Sequence, residues 1–223
     1  MIHNCPDLED AIEAWGILPL LSIGISGWSA EEMTAEECLY TKLPDGGWEW
    51  PLWKWKGGAI QETGCAYGKF SMGKAAFISK RLWPDFCNWR RYVSQKVEEG
   101  SIEETILFTL EENGSMITRE LRKACGFDGP KMRGKFDSYI TRLQNAGYIV
   151  TEDFVYPHDK NGKEYGWGWA LLTTAETRFG KEACNPQHSP EESFDILMEH
   201  LKHILPSVTD RQLEEILKKE IKR

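Results

Sequence analysis

The chain has no CxxC pair and no CxxH spacing, and its six cysteines, Cys5, Cys38, Cys65, Cys87, Cys125 and Cys184, lie far apart. A structural zinc site needs such ligand pairs, so no metal is expected and the cysteines read as small, reduced, buried side chains. No cofactor is implied either. Long apolar runs are missing as well: the longest, around Ile17 to Ile25, is broken by Pro19 and Gly24. It is too short to span a bilayer. It follows acids (Asp7, Glu9, Asp10, Glu13) rather than a basic segment, which predicts a cytoplasmic protein without membrane contact. Low-complexity and proline-rich tracts are absent, which excludes wholesale disorder.

Positive charge is scarce overall, with a net charge of −8 over 223 residues. An acidic chain is a poor match for a phosphate backbone, whose affinity comes from neutralising cations. The distribution of charge along the chain points the other way. Residues 1–47 carry one base against nine acids, whereas residues 48–96 carry nine bases against three acids (Glu49, Glu62, Asp85) and six of the ten tryptophans. Residues 97–114 hold six acids and no base, and residues 115–165 return to nine bases against seven acids. The acidity conceals a basic, tryptophan-rich segment.

The elements follow from punctuation and period. Residues 7–25 predict a helix leading into an apolar segment, and Ser29 with Glu32 has the spacing of a capping box for a short acidic helix. In "GWEWPLWKWKGG", Pro51 and the flanking glycine pairs predict two short strands, Trp48–Trp50 and Leu52–Lys56, with Trp53 and Trp55 opposite Lys54 and Lys56. "YGKFSMGKAAFIS" reads as strands with glycine turns, and "WPDFCNWRRYV" as a helix opened by Pro84. Ile102, Ile106, Leu107 and Leu110 recur at helical spacing until Asn113-Gly114. A second helix covers Thr118–Ala124, and a third covers residues 130–145 up to Gly147. The alternating "YIVTEDFVY" and "WGWALLTT" flank Asn161-Gly162, a pair suited to a type I′ hairpin.

Three helices followed by a two-stranded wing is the order of a winged helix-turn-helix. In the third helix, Met132, Phe136, Tyr139, Ile140, Leu143 and Ala146 form the core face. Lys131, Lys135, Ser138, Arg142 and Asn145 form a polar stripe, suited to phosphates and base edges and equally to a solvated face. The wing tip adds Lys160 and Lys163. Beyond it, capping boxes at Ser189–Glu192 and Thr209–Gln212, with Pro206 between, predict a C-terminal helix pair whose His200 and His203 are solvated. The chain therefore predicts an α+β fold: an aromatic-rich N-terminal part (1–96), a winged helix-turn-helix packed on it (97–175), and a linker with the helix pair (176–223).

The stretches "CAYGKFSMGKAAFIS", "WPDFCNWRR", "FDSYITRLQNAGYIV" and "YGWGWALLTT" resemble the AlkZ-related proteins, short bacterial relatives of the AlkZ-type winged-helix DNA glycosylases. The resemblance covers most of the chain; towards the glycosylases themselves it is clearest over residues 101–172. It implies binding of double-stranded DNA, damaged DNA included, and base removal as an activity. One departure is plain: the glycosylases carry a catalytic Gln-x-Gln or Gln-x-Asp motif, and Gln61, Gln95, Gln144, Gln187 and Gln212 lack either partner two places on. Catalysis of glycosidic cleavage would then fall to carboxylates, with Glu62, Glu49 and Asp85 the acids of the basic segment. That segment is also expected to form one side of a cleft, with Trp53, Trp55 and Tyr67 stacking on a base and Lys54, Lys56 and Lys69 on phosphates. Two rivals stand beside this reading: a non-catalytic winged-helix regulator and a protein-interaction module.

Overall fold

In the computed structural model, residues 1–43, 46–129 and 131–218 are described. The first part runs α1 (Cys5–Trp15), β1 (Ile17–Pro19), α2 (Ala30–Met33), α3 (Glu36–Leu39), β2 (Thr41–Lys42), β3 (Trp48–Glu49), α4 (Pro51–Thr63), β4 (Ala66–Ser71), β5 (Lys74–Ile78) and α5 (Trp83–Val93). It continues with α6 (Ile102–Asn113), β6 (Met116–Ile117), α7 (Thr118–Ala124), α8 (Arg133–Asn145), β7 (Ile149–Val155) and β8 (Trp169–Thr174). Helix α9 (Ala175–Phe179), a 3₁₀ turn at Glu182–Cys184, α10 (Pro190–Ile204) and α11 (Asp210–Lys218) complete the chain. The fold is a mixture of helices and antiparallel sheets: β1-β5-β4, the two-stranded β2-β3, and β6-β8-β7.

The largest departure from the sequence reading is α4. Pro51 does not interrupt an element; it opens one, at the first helical position, where its missing N–H has no partner to lose. Gly57 and Gly58 lie inside this helix rather than bracketing a strand. A β-carbon at Gly58 would stand 3.2 Å from Cys5 Sγ of α1, and one at Gly57 3.3 Å from Asp153 Oδ1 of β7. The pair thus marks where α4 lies closest to its neighbours.

The type I′ geometry also moves. Met72 (φ 52°) and Gly73 (φ 76°) form a two-residue loop between β4 and β5, and Met72 is the one non-glycine residue at positive φ among the described residues. The β7–β8 connection turns at Asn161-Gly162 without it. Asp159 Oδ1 accepts the N–H groups of Asn161 (2.8 Å) and Lys163 (2.9 Å), while Gly162 alone takes the left-handed conformation at φ 79°. This is an aspartate-headed turn, which leaves Asn161 unstrained.

Helix α8 begins at Arg133 behind Met132, one turn later than expected; the expected start at residue 130 lies outside the described residues. The capping box of α10 forms as read, with the Ser189 side chain accepting from the Glu192 N–H. His200 departs from expectation: it is half-buried, its Nε2 lies 2.9 Å from the carbonyl of Trp15, and burial pushes its pKa down.

Three clusters make up the core. One holds Ile12, Leu52, Ile60 and Phe77 under α1 and α4, and another holds Ile106, Leu121, Phe136 and Leu172 among α6, α7, α8 and β8. The third draws Phe70, Trp83, Val150, Ala175, Leu197 and Leu217 from widely separated parts of the chain. At its margin lies Arg90, 1% exposed, whose guanidinium donates to the carbonyls of Asn145 (2.9 Å), Leu217 (2.8 Å) and Phe70 (3.2 Å).

Candidate nucleic-acid interface

The predicted stripe on α8 divides along its length. Lys131 and Lys135 are exposed, and Arg142 reaches solvent while paired with Glu103 and lying over the Tyr139 ring at 4.5 Å. Ser138 and Asn145 are buried. Ser138 Oγ donates to the carbonyl of Gly134 one turn back, at 2.9 Å. The second half of α8 is enclosed because β4 packs against it, with Arg90 of α5 reaching the carbonyl of Asn145 at its end: Lys69 donates through Nζ to Thr141 Oγ1 (3.0 Å) and through its N–H to Gln144 Oε1 (3.3 Å). The expectation that Ser138 and Asn145 face a duplex is therefore corrected, and Lys69 is a brace between β4 and α8.

Exposed cations lie on α7 and about the start of α8. Arg119 and Lys123 on α7, with Lys131, Arg133 and Lys135 at the start of α8, are all exposed. Of these only Arg133 has an acid near, Asp137 at 3.9 Å, among the described residues. Sequence reasoning missed Arg119 and Lys123, because a single-helix projection ignores the helix before it, and it missed Arg133 because that residue falls off the projected stripe at the first position of α8.

The connection between β7 and β8 adds a second surface. Lys160 and Lys163 are exposed at its tip. Behind them Tyr165, Trp167 and Trp169 are exposed, Trp167 to 65%. The signal for these residues was available in "YGWGW": glycines at φ 76° and 72° alternate with aromatics, a pattern that sends the rings off a regular strand. Trp167 is anchored, since its carbonyl accepts from Trp53 Nε1 at 2.8 Å and the two rings meet edge to face at 5.4 Å.

From Trp53 the aromatic contacts continue to Trp50 (5.4 Å, stacked) and on to Tyr40 (6.0 Å, stacked). Trp48 is the most exposed tryptophan of the "GWEWPLWKWKGG" stretch at 68%, whereas Trp50, Trp53 and Trp55 are partly buried against the cluster under α4. Tyr67 is buried against Phe77 and Phe154, so its expected stacking on a base is corrected to a core role. Lys56 is corrected too. It is fully buried, its Nζ donates to the Trp53 carbonyl at 2.8 Å and sits 3.5 Å and 3.7 Å from the centres of the Trp53 and Phe154 rings. Burial pulls its pKa down to about 6. Lys54 is half-exposed and bonded to Glu49 at 2.8 Å.

The three candidate acids do not converge. Glu49 is occupied by Lys54. Asp85 is buried at the start of α5, accepting from Ser193 Oγ (2.7 Å) and contacting His188 Nδ1 at 2.8 Å, and this carboxylate raises the His188 pKa. Glu62 is exposed on α4, roughly three turns beyond its start. Among the described residues no group of three or more His, Cys, Asp or Glu side chains could hold a metal, and no helix is long and apolar enough to cross a membrane.

A family model described as AlkZ related matches residues 2–218. The chain belongs to the AlkZ-related family. No curated protein and no solved structure matches it. In this AlkZ-related protein two glutamines serve the fold: Gln144 joins β4 and β7 by accepting from Lys69 and donating to Thr151 Oγ1 (3.2 Å), and Gln61 of α4 donates to the Glu152 carbonyl (2.6 Å).

Proposed function

We propose that this AlkZ-related protein binds double-stranded DNA, with α6, α7, α8 and the β7–β8 hairpin acting as a winged helix. The observation that carries this reading is the set of exposed cations on α7 and about the start of α8, Arg119, Lys123, Lys131, Arg133 and Lys135, four of which have no acid partner among the described residues. Uncompensated lysines and arginines at the start of a second helix are the groups that neutralise phosphates while the helix enters a groove. Lys160 and Lys163 at the wing tip contact the flanking backbone, and Trp167 with Tyr165 supplies rings for an unstacked base. The family supports a link to DNA repair, with damaged DNA as the target.

Binding without bond cleavage is the version favoured here, because Glu49 and Asp85 already have partners and the Gln-x-Gln pattern is missing. The test is duplex affinity measured across a salt series for Lys131→Ala/Arg133→Ala/Lys135→Ala. The expected result is weaker binding with a slope of log K against log salt reduced by about 2–3. An unchanged slope removes this face from the interface. Base release from alkylated duplex by the wild-type protein would restore the catalytic version.

A further inference from the structure

Two of the six free cysteines meet in the core. Cys87 lies on α5 and Cys184 ends the 3₁₀ turn before α10, 97 residues further along the chain. Cys87 Sγ stands 3.9 Å from the Cys184 carbonyl oxygen, and its thiol is hydrogen-bonded to the Cys184 side chain. The two differ in access. Cys87 is fully buried, with Sγ 3.5 Å from the Gly147 carbonyl, whereas Cys184 is 4% exposed and lines a cavity of about 420 Å³. Arg91 of α5, Leu107 and Glu111 of α6, Glu176 of α9 and Lys181 wall the same cavity. Its two cations and two acids balance, so it does not select an ion. The pair is also polarised. The hydrogen bond from Cys87, helped by the Arg91 guanidinium, holds the Cys184 thiol below its usual range against burial and Glu176, and the same bond together with burial pushes Cys87 up.

We propose that Cys87 and Cys184 form a redox-active dithiol, in which Cys184 reacts with hydrogen peroxide and Cys87 then closes a disulfide with it. In the first step the Cys184 thiolate attacks one peroxide oxygen: the S–O bond forms, the O–O bond breaks, and hydroxide leaves and takes up the proton that the thiol released. In the second, Cys87 attacks the sulfur of the Cys184 sulfenic acid. The S–S bond forms, the S–O bond breaks, and the Cys87 proton departs with the hydroxyl as water. The two thiols lose two electrons in all, and one peroxide becomes two waters. Access assigns the roles, because Cys184 borders the cavity and Cys87 does not. Peroxide suits the place, being neutral and close to water in size. The disulfide would tie α5 to the turn that leads into α10 across that 97-residue separation, the kind of long loop whose closure restricts the unfolded chain most. DNA binding plays no part in this chemistry.

The experiment treats the folded full chain with hydrogen peroxide in steps, alkylates the remaining thiols and maps the peptides by mass spectrometry with and without dithiothreitol. The expected product is a linked Cys87–Cys184 peptide pair that dithiothreitol separates. It should form before Cys5, Cys38 and Cys125 are oxidised, although all three are more exposed than Cys184. In Cys87→Ala the linked pair is lost and a sulfenic acid should persist at Cys184, where dimedone traps it. In Cys184→Ala, Cys87 should stay reduced. Oxidation that follows exposure, with Cys5, Cys38 or Cys125 modified first and no linked pair, would overturn the proposal. So would a linked pair that appears only in urea, or Cys87 reacting as readily in Cys184→Ala as in the parent. The map of the unsubstituted chain decides the matter even if a variant does not fold.

Discussion

Lys56 carries a primary amine into a place where two ring faces and one carbonyl meet it. A desolvated cation over an aromatic face gains about 2 kcal/mol, against a larger cost of desolvating the ammonium, and burial accordingly lowers the pKa to about 6. With a folded pKa of about 6 against 10.5 when unfolded, the unfolded chain holds the extra proton between those values, and stability rises with pH across that window. Lys56→Met is expected to stabilise the protein by about 1–3 kcal/mol at pH 7 and to flatten this rise. Urea unfolding of both proteins between pH 6 and 10 checks it; a destabilised Met variant would show that the amine is held charged. A second residue-scale prediction concerns Trp167, whose exposed ring is pre-positioned by Trp53. Trp167→Ala should cost about 1–3 kcal/mol of affinity for mismatched or abasic duplex and little for matched duplex, read by fluorescence anisotropy. Equal losses on both duplexes would make Trp167 a backbone contact.

At the scale of elements, punctuation was legible wherever one signal dominated. Ser189 starts α10 as expected, the helical spacing from Ile102 to Leu110 becomes α6, and the alternation in "YIVTEDFVY" becomes β7. The tryptophan motif failed because two signals competed: alternating Trp and Lys suggests period two, while Pro51 at a first helical position permits a helix through two glycines. Tertiary packing decided it, since the glycines admit Cys5 and Asp153 where larger residues would collide. The exposed charge of α7 and α8 was legible and the course of the polar stripe only half so, because the second half of α8 is enclosed by β4, far away in sequence. The turn at Met72-Gly73 gives the prediction at this scale. A left-handed L-residue costs about 1–2 kcal/mol, and asparagine tolerates that conformation. Met72→Asn should therefore raise stability by about 0.5–1 kcal/mol, a gain read from thermal melts, and no gain would mean the Met72 side chain contributes contacts of its own.

Across the whole molecule, Arg90 gathers three remote carbonyls around one buried guanidinium, joining β4, α8 and α11. Arg90→Met removes charge-assisted bonds and leaves those acceptors buried, which predicts a loss of about 3–5 kcal/mol in equilibrium unfolding. A loss under 1 kcal/mol would show that apolar packing alone holds the three parts together. The same clasp has a consequence for synthesis on the ribosome. Arg90 and the Leu217 carbonyl it holds are 127 residues apart in the chain. At about 5–20 residues per second, α5 waits roughly 6–25 s after translation for its last partner. Until then Arg90 and the apolar face of α5 await α11, so the nascent chain is expected to stay protease-sensitive around α5 until residue 217 has emerged from the exit tunnel.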